Sequence, residues 1–170
     1  MARRAAGRDL SGLEGRLGHT FGEPALLRRA LTHRSAAADH NERLEFLGDS
    51  LLNCVVAILL YERFPNVPEG DLSRLRAGLV NQSSLHEVAQ ALALGDELVL
   101  GEGELKSGGF RRPSILADGF EALLGAVYLD AGFDAVRRVV ESLFASRIDR
   151  ASEEPPAKDP KTALQENLQG

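Results

Sequence analysis

Asn41-Glu42-Arg43-Leu44-Glu45-Phe46-Leu47-Gly48-Asp49-Ser50 is the stretch that decides how this chain is read. It opens a strongly helical segment, and Glu45 and Asp49 stand four residues apart within it. Residues at i and i+4 lie one above the other on a helix face. The two carboxylates therefore project together, beside Leu44, Phe46, Leu47, Leu51 and Leu52. Two like charges about 4 Å apart repel by roughly 4 kcal/mol at an effective dielectric of about 20. A purely structural helix gains nothing from that repulsion. A site that holds a divalent cation needs it.

A second pair lies farther along, in Ser114-Ile115-Leu116-Ala117-Asp118-Gly119-Phe120-Glu121-Ala122. Asp118 and Glu121 are three apart, again on one helix face, in almost wholly apolar surroundings. If the two helices pack together, four carboxylates converge. Hard oxygen ligands of this kind suit Mg²⁺ or Mn²⁺, and such a site can assist phosphodiester cleavage. The alternative for either pair is a solvated helix face, or for Asp118 a favourable partner of the helix N-terminus. Two pairs, each flanked by core residues, are harder to explain that way. Zinc does not fit, because no Cys or His cluster has ligand spacing. A ferritin-like di-iron bundle needs Glu-x-x-His, yet Gly48 stands three beyond Glu45 and Glu121 three beyond Asp118.

The rest of the composition suits one all-α domain. Of 170 residues 44% are hydrophobic and only 5% aromatic, with no Trp, so Leu, Ala, Val and Ile must build the core. The net charge of −5 argues against nucleic acid when taken alone, although acids gathered at a metal site also lower the total. The single cysteine, Cys54, sits in an apolar run and reads as a buried thiol in a reducing compartment. No apolar run reaches the roughly 18 residues of a membrane span, and the N-terminus lacks the apolar stretch of a signal peptide. The expectation is a soluble, cytoplasmic protein with no membrane partner.

Periodicity predicts helices over Leu10–Leu17, Pro24–Leu31, Asn41–Glu62, Gly70–Asn81, Ser84–Leu94, Ser114–Asp130 and Phe133–Ile148. Ser84 and Glu87 form a capping box, Gly95 ends that helix, and glycine-rich Gly101–Gly109 reads as a loop. Residues 1–149 make the domain, 150–158 a Pro-containing linker, and 159–170 the start of something further, which this reading takes as removed or lost.

Asn41–Ser50 resembles the signature stretch of the ribonuclease III family. Leu31-Thr32-His33-Arg34-Ser35, Gly103-Glu104-Leu105-Lys106-Ser107-Gly108-Gly109 and Ile115–Asp130 match it too, in the family's order. The resemblance implies the all-α endonuclease-domain fold of that family, working as a homodimer that cuts double-stranded RNA. Glu45, Asp49, Asp118 and Glu121 match its four metal-binding carboxylates, with Asp49 and Glu121 central to catalysis. Mg²⁺ would be the cofactor, with Mn²⁺ able to substitute. The products would carry 5′-phosphate and 3′-hydroxyl ends in a staggered cut, in rRNA, mRNA and other RNA processing. Glu42 and Glu69 match further acidic positions, and Phe46 matches a dimer contact. The family likeness supports Lys106 as an RNA contact; Gln82 is a second candidate from its place between helices, and Arg111 and Arg112 are further phosphate candidates. Lys158–Glu166 resembles the first helix of a double-stranded RNA-binding domain, although Asn167 stands where the family has an aromatic. Gly119, beside Asp118, is a departure that should loosen the site modestly. His33 and His40, with no partner at metal spacing, read as structural or surface residues, an RNA contact being the lesser alternative. Two other classes remain open: a double-stranded RNA binder without useful cleavage, and a helical dimerisation module.

Overall fold

The structure, a computed structural model, describes residues 8–153. The chain forms α1 (Ser11–Leu17), α2 (Pro24–Ala30), α3 (Glu42–Arg63), α4 (Glu69–Val80), α5 (Gln82–Ala91), α6 (Leu94–Glu97), α7 (Glu102–Lys106), a 3-10 turn (Gly109–Arg111), α8 (Pro113–Ala131) and α9 (Phe133–Glu153). The fold is all-α. Among the described residues, the nearest thing to a strand is one parallel bridge between Thr32 and Val99. Residues 154–170, with most of the expected linker and the RNA-binding-domain start, lie outside the described residues. Helix α9 continues to Glu153, five residues past the Ile148 predicted from its apolar face.

Proline fixes the start of two helices. Pro24 and Pro113 occupy first-turn positions, where the missing N–H leaves no bond unmade. Gly132 ends α8 at φ +82°, a conformation that side chains disfavour. Helix α8 is buried on nearly every side: Ile115, Leu116, Ala117, Phe120 and the run Ala122–Val127 are all core. Against it pack α3 above all, then α5, α2 and α9. Helix α3 buries Leu44, Leu52, Val55, Val56, Leu59 and Leu60. An 18-residue window of α3 has mean hydropathy 1.7 and is long enough to cross a membrane by composition, and one face of the helix packs in the core.

Several local readings are corrected. Asn81, not Ser84, caps α5: its side chain accepts from the Ser84 N–H at 2.9 Å. Ser84 lies inside the helix with its hydroxyl bonded to the Gly78 carbonyl, and Glu87 pairs with Arg147. Gly95 is no helix stop but lies within α6, where a Cβ would come 2.4 Å from the Phe110 carbonyl oxygen. The Gly101–Gly109 stretch holds α7, a helix too short to display apolar periodicity. Cys54 is exposed rather than buried, because it shares the outward stripe of α3 with Phe46 and Ser50.

The α3–α8 contact is backbone against backbone. A Cβ at Gly48 would lie 1.7 Å from the Glu121 carbonyl oxygen, and one at Gly125 would lie 2.3 Å from the Leu44 carbonyl oxygen. Four residues back on α3 correspond to four forward on α8, so the helices run antiparallel through this contact. Neither neighbour is a side chain that can swing aside. Gly48→Ala should therefore destabilise by at least the upper part of the roughly 1–3 kcal/mol cost of overpacking. Gly78→Ala, on α4 with open space at its Cβ, should instead stabilise by up to about 1 kcal/mol. Chemical denaturation of both variants checks this; a Gly48→Ala protein as stable as the parent would contradict the close contact.

Candidate active site

The glycine contact sets the register of the acids. Gly48 lies between Glu45 and Asp49 and abuts the backbone of Glu121, while Gly125 abuts Leu44. As a result Glu45 from α3 and Asp118 and Glu121 from α8 each offer an oxygen, and these three oxygens lie within 4.8 Å of one another. All three residues are half-buried. Asp49 stands at the rim. It is exposed, and the Asn53 amide donates to its carboxylate at 3.1 Å and to its carbonyl at 3.0 Å.

The crowding shows in the protonation equilibria. Burial, followed by repulsion from Asp49, Asp118 and Glu45, pushes the Glu121 carboxyl up to about 8, and a hydrogen bond with Asp49 favours its protonated form. Burial also raises Glu45, with repulsion from Asp118, Glu42 and Asp49 adding to it. Asp118 is raised by burial, although His33 and Arg34 pull against that. Three carboxyls displaced toward their neutral forms in one place are what an unneutralised cation site looks like. The donor set is oxygen only, which fits a hard divalent ion and excludes a soft one.

Glu42 sits beside this cluster and is bonded to Arg34 at 3.1 Å. Glu69 starts α4 and accepts from the Ser73 hydroxyl, outside the carboxylate cluster. Lys106 is exposed in the last turn of α7, and Gln82 is exposed at the first residue of α5. Arg112 is engaged internally, with Glu104 at 3.0 Å and the Ser107 hydroxyl, while Arg111 lies over the Phe110 ring. Gly119 does not loosen the site. It faces away from the acids, and a Cβ there would meet Leu98 and Leu94 at 3.2 and 3.3 Å. Phe46 is 78% exposed and borders a cleft of about 780 Å³ with Leu47, Arg43, His40, Arg29 and Leu129. His33, read from the sequence as structural or surface, lies close enough to Asp118 for its ring, when protonated, to be the foremost charge lowering that acid.

A ribonuclease-III-like family profile matches residues 23–148, which holds every residue of this cluster. The chain belongs to the ribonuclease-III-like family. It is 63% identical over 162 residues to Ribonuclease 3 of Bordetella avium, and 63% identical over 157 residues to Ribonuclease 3 of Thiobacillus denitrificans. It spans 64% and 70% of the lengths of those relatives, which cover 95% and 92% of this chain. Among solved structures, the nuclease domain of ribonuclease III from Campylobacter jejuni superposes with a TM-score of 0.79 at 42% identity, covering 82% of this chain and 96% of that one.

Because Glu121 is raised, its neutral form favours the metal-free fold. That contribution is complete below the ordinary pKa of 4.5 and is lost as pH climbs toward 8. The melting temperature of the chelator-treated chain should fall across that window. Glu121→Gln should flatten the fall, and Mg²⁺ should recover stability at the alkaline end for the parent only. Parallel melting curves of parent and variant that fall together would contradict this.

Proposed function

We propose that this chain is the nuclease domain of a Mg²⁺-dependent endoribonuclease that cuts double-stranded RNA. The observation that carries the reading is the oxygen-only cluster of Glu45, Asp118 and Glu121, with Asp49 at its rim, in a ribonuclease-III-like fold. Glu45, Asp118 and Glu121 would hold the ion, with Asp49 completing the set. Mg²⁺, or Mn²⁺ in its place, supplies Lewis acidity at neutral pH and neutralises phosphate charge.

The protein's own share is electrostatic and positional. The ionised acids of the cluster repel a bare phosphodiester, so RNA enters the site productively only with the cation present. Half-burial limits water around the acids and strengthens each interaction there. Products with 5′-phosphate and 3′-hydroxyl ends follow from water attacking phosphorus with the 3′ oxygen leaving. Lys106 and Gln82 are the substrate contacts of this reading, a cation for phosphate and an amide for sugar or base edges.

Cutting both strands calls for two sites, hence a homodimer. Phe46 supports this, since a phenyl ring 78% exposed beside a cleft that also shows Leu47 and Leu129 suits burial against a second copy. The Campylobacter jejuni nuclease domain has a region involved in dimer formation. A cytoplasmic place in rRNA and mRNA maturation, and a C-terminal RNA-binding module beginning at residue 159, complete the proposal.

A perfect RNA duplex should be cut with Mg²⁺ and left intact with chelator. Duplex binding without Mg²⁺-dependent product would sink the nuclease reading and favour a pure RNA binder. Glu121→Gln should keep the fold and bind RNA yet lose cleavage by a factor of at least about 10², because an amide is a poor ligand for a hard cation. Phe46→Ala should shift sedimentation toward the monomer and leave single-strand nicks in place of double cuts. A dimer unchanged by Phe46→Ala would remove Phe46 from the interface.

A further inference from the structure

His33 lies on the short parallel bridge beside the site, its backbone N–H bonded to the Val99 carbonyl at 3.0 Å. Its Nδ1 accepts from the Ser35 backbone N–H at 3.2 Å and lies 2.7 Å from the Ser35 hydroxyl. That hydroxyl oxygen accepts from the Gly101 N–H at 2.9 Å, which leaves its own proton free to turn to Nδ1. The arrangement is rigid: at Gly101 a Cβ would come 2.3 Å from the Ser35 carbonyl oxygen, so the two backbones are in contact. The Ser35 backbone N–H can only donate, so Nδ1 carries the lone pair in this arrangement. The ring proton is held on Nε2. The half-buried ring lies close enough to Glu104, Arg34, Asp118 and Glu42 to feel their charges.

We propose that His33 is a catalytic residue of the nuclease reaction, a neutral imidazole whose fixed Nε2–H donates a hydrogen bond to an oxygen of the scissile phosphate. This rests on the nuclease reading. The chemistry suits the place. Charge on the phosphate oxygens must be stabilised as cleavage proceeds, and a preoriented neutral donor does so without repelling the cation held by the acids. The relay Gly101–Ser35–His33 makes Ser35 a positioning residue, since it sets the tautomer.

Single-turnover kinetics and imidazole ¹⁵N NMR test this on the full chain. His33→Phe should lower kcat by about 10²-fold with little change in KM or in Mn²⁺ affinity. Ser35→Ala should lower kcat less, and in the same direction. NMR should show the Nε2–H tautomer in the free protein, and that signal should move when duplex RNA is added to the uncleaving Glu121→Gln variant. The NMR measurement decides alone if His33→Phe fails to fold. A parent that cuts no duplex contradicts the nuclease reading. A parent that cuts beside a His33→Phe variant that cuts equally fast, or an Nε2 signal indifferent to RNA, overturns only the role of His33.

Discussion

The contact between α3 and α8 is the constraint on which the rest depends. Two glycines, Gly48 and Gly125, let the helix backbones touch, and each sits within a few residues of an acid. Any side chain at Gly48 would drive the helices apart. Because the acids project from the same turns, separation would spread Glu45 away from Asp118 and Glu121. The packing of the core and the geometry of the site are thus one contact.

The repulsion gathered there has to be offset elsewhere. Helix α8 supplies most of the compensation: it is surrounded by α2, α3, α5 and α9 and buries an almost unbroken apolar run. Each buried methylene is worth about 0.8 kcal/mol, so such a helix can tolerate a pair of half-buried acids. Asp130, at the far end of α8, shows the opposite arrangement. There a half-buried carboxylate is satisfied by the Gly22 and Glu23 N–H groups and by His19 at 2.8 Å, and hydrogen bonding lowers its pKa against the effect of burial. One helix thus carries a satisfied acid that pins a loop and two crowded acids poised for a cation.

The acids were legible in the sequence because their spacing matches the helical period and their neighbours are apolar. The helices were legible for the same reason. The glycines that make the site were not read, although Gly48 precedes Asp49 directly and Gly125 follows Glu121 by four. A glycine inside an amphipathic pattern looks like a weak point until the partner backbone is known. Gly119, Gly95 and Gly101 were misread or passed over on the same ground. The capping of α5 was assigned to Ser84 because the serine–glutamate spacing suggested it, whereas Asn81 takes the role. His33 was read as a structural or surface residue, since a hydrogen-bond relay across residues 33, 35 and 101 leaves no periodic trace.

The central claim is that this helix contact builds a site for a hard divalent cation. Crystals soaked in Mn²⁺, with anomalous scattering to locate it, test this most directly. The account predicts a peak bounded by Glu45, Asp118 and Glu121, with carboxylate oxygens at about 2.1 Å. A peak bound elsewhere on the domain, with these three acids free of metal, would contradict it.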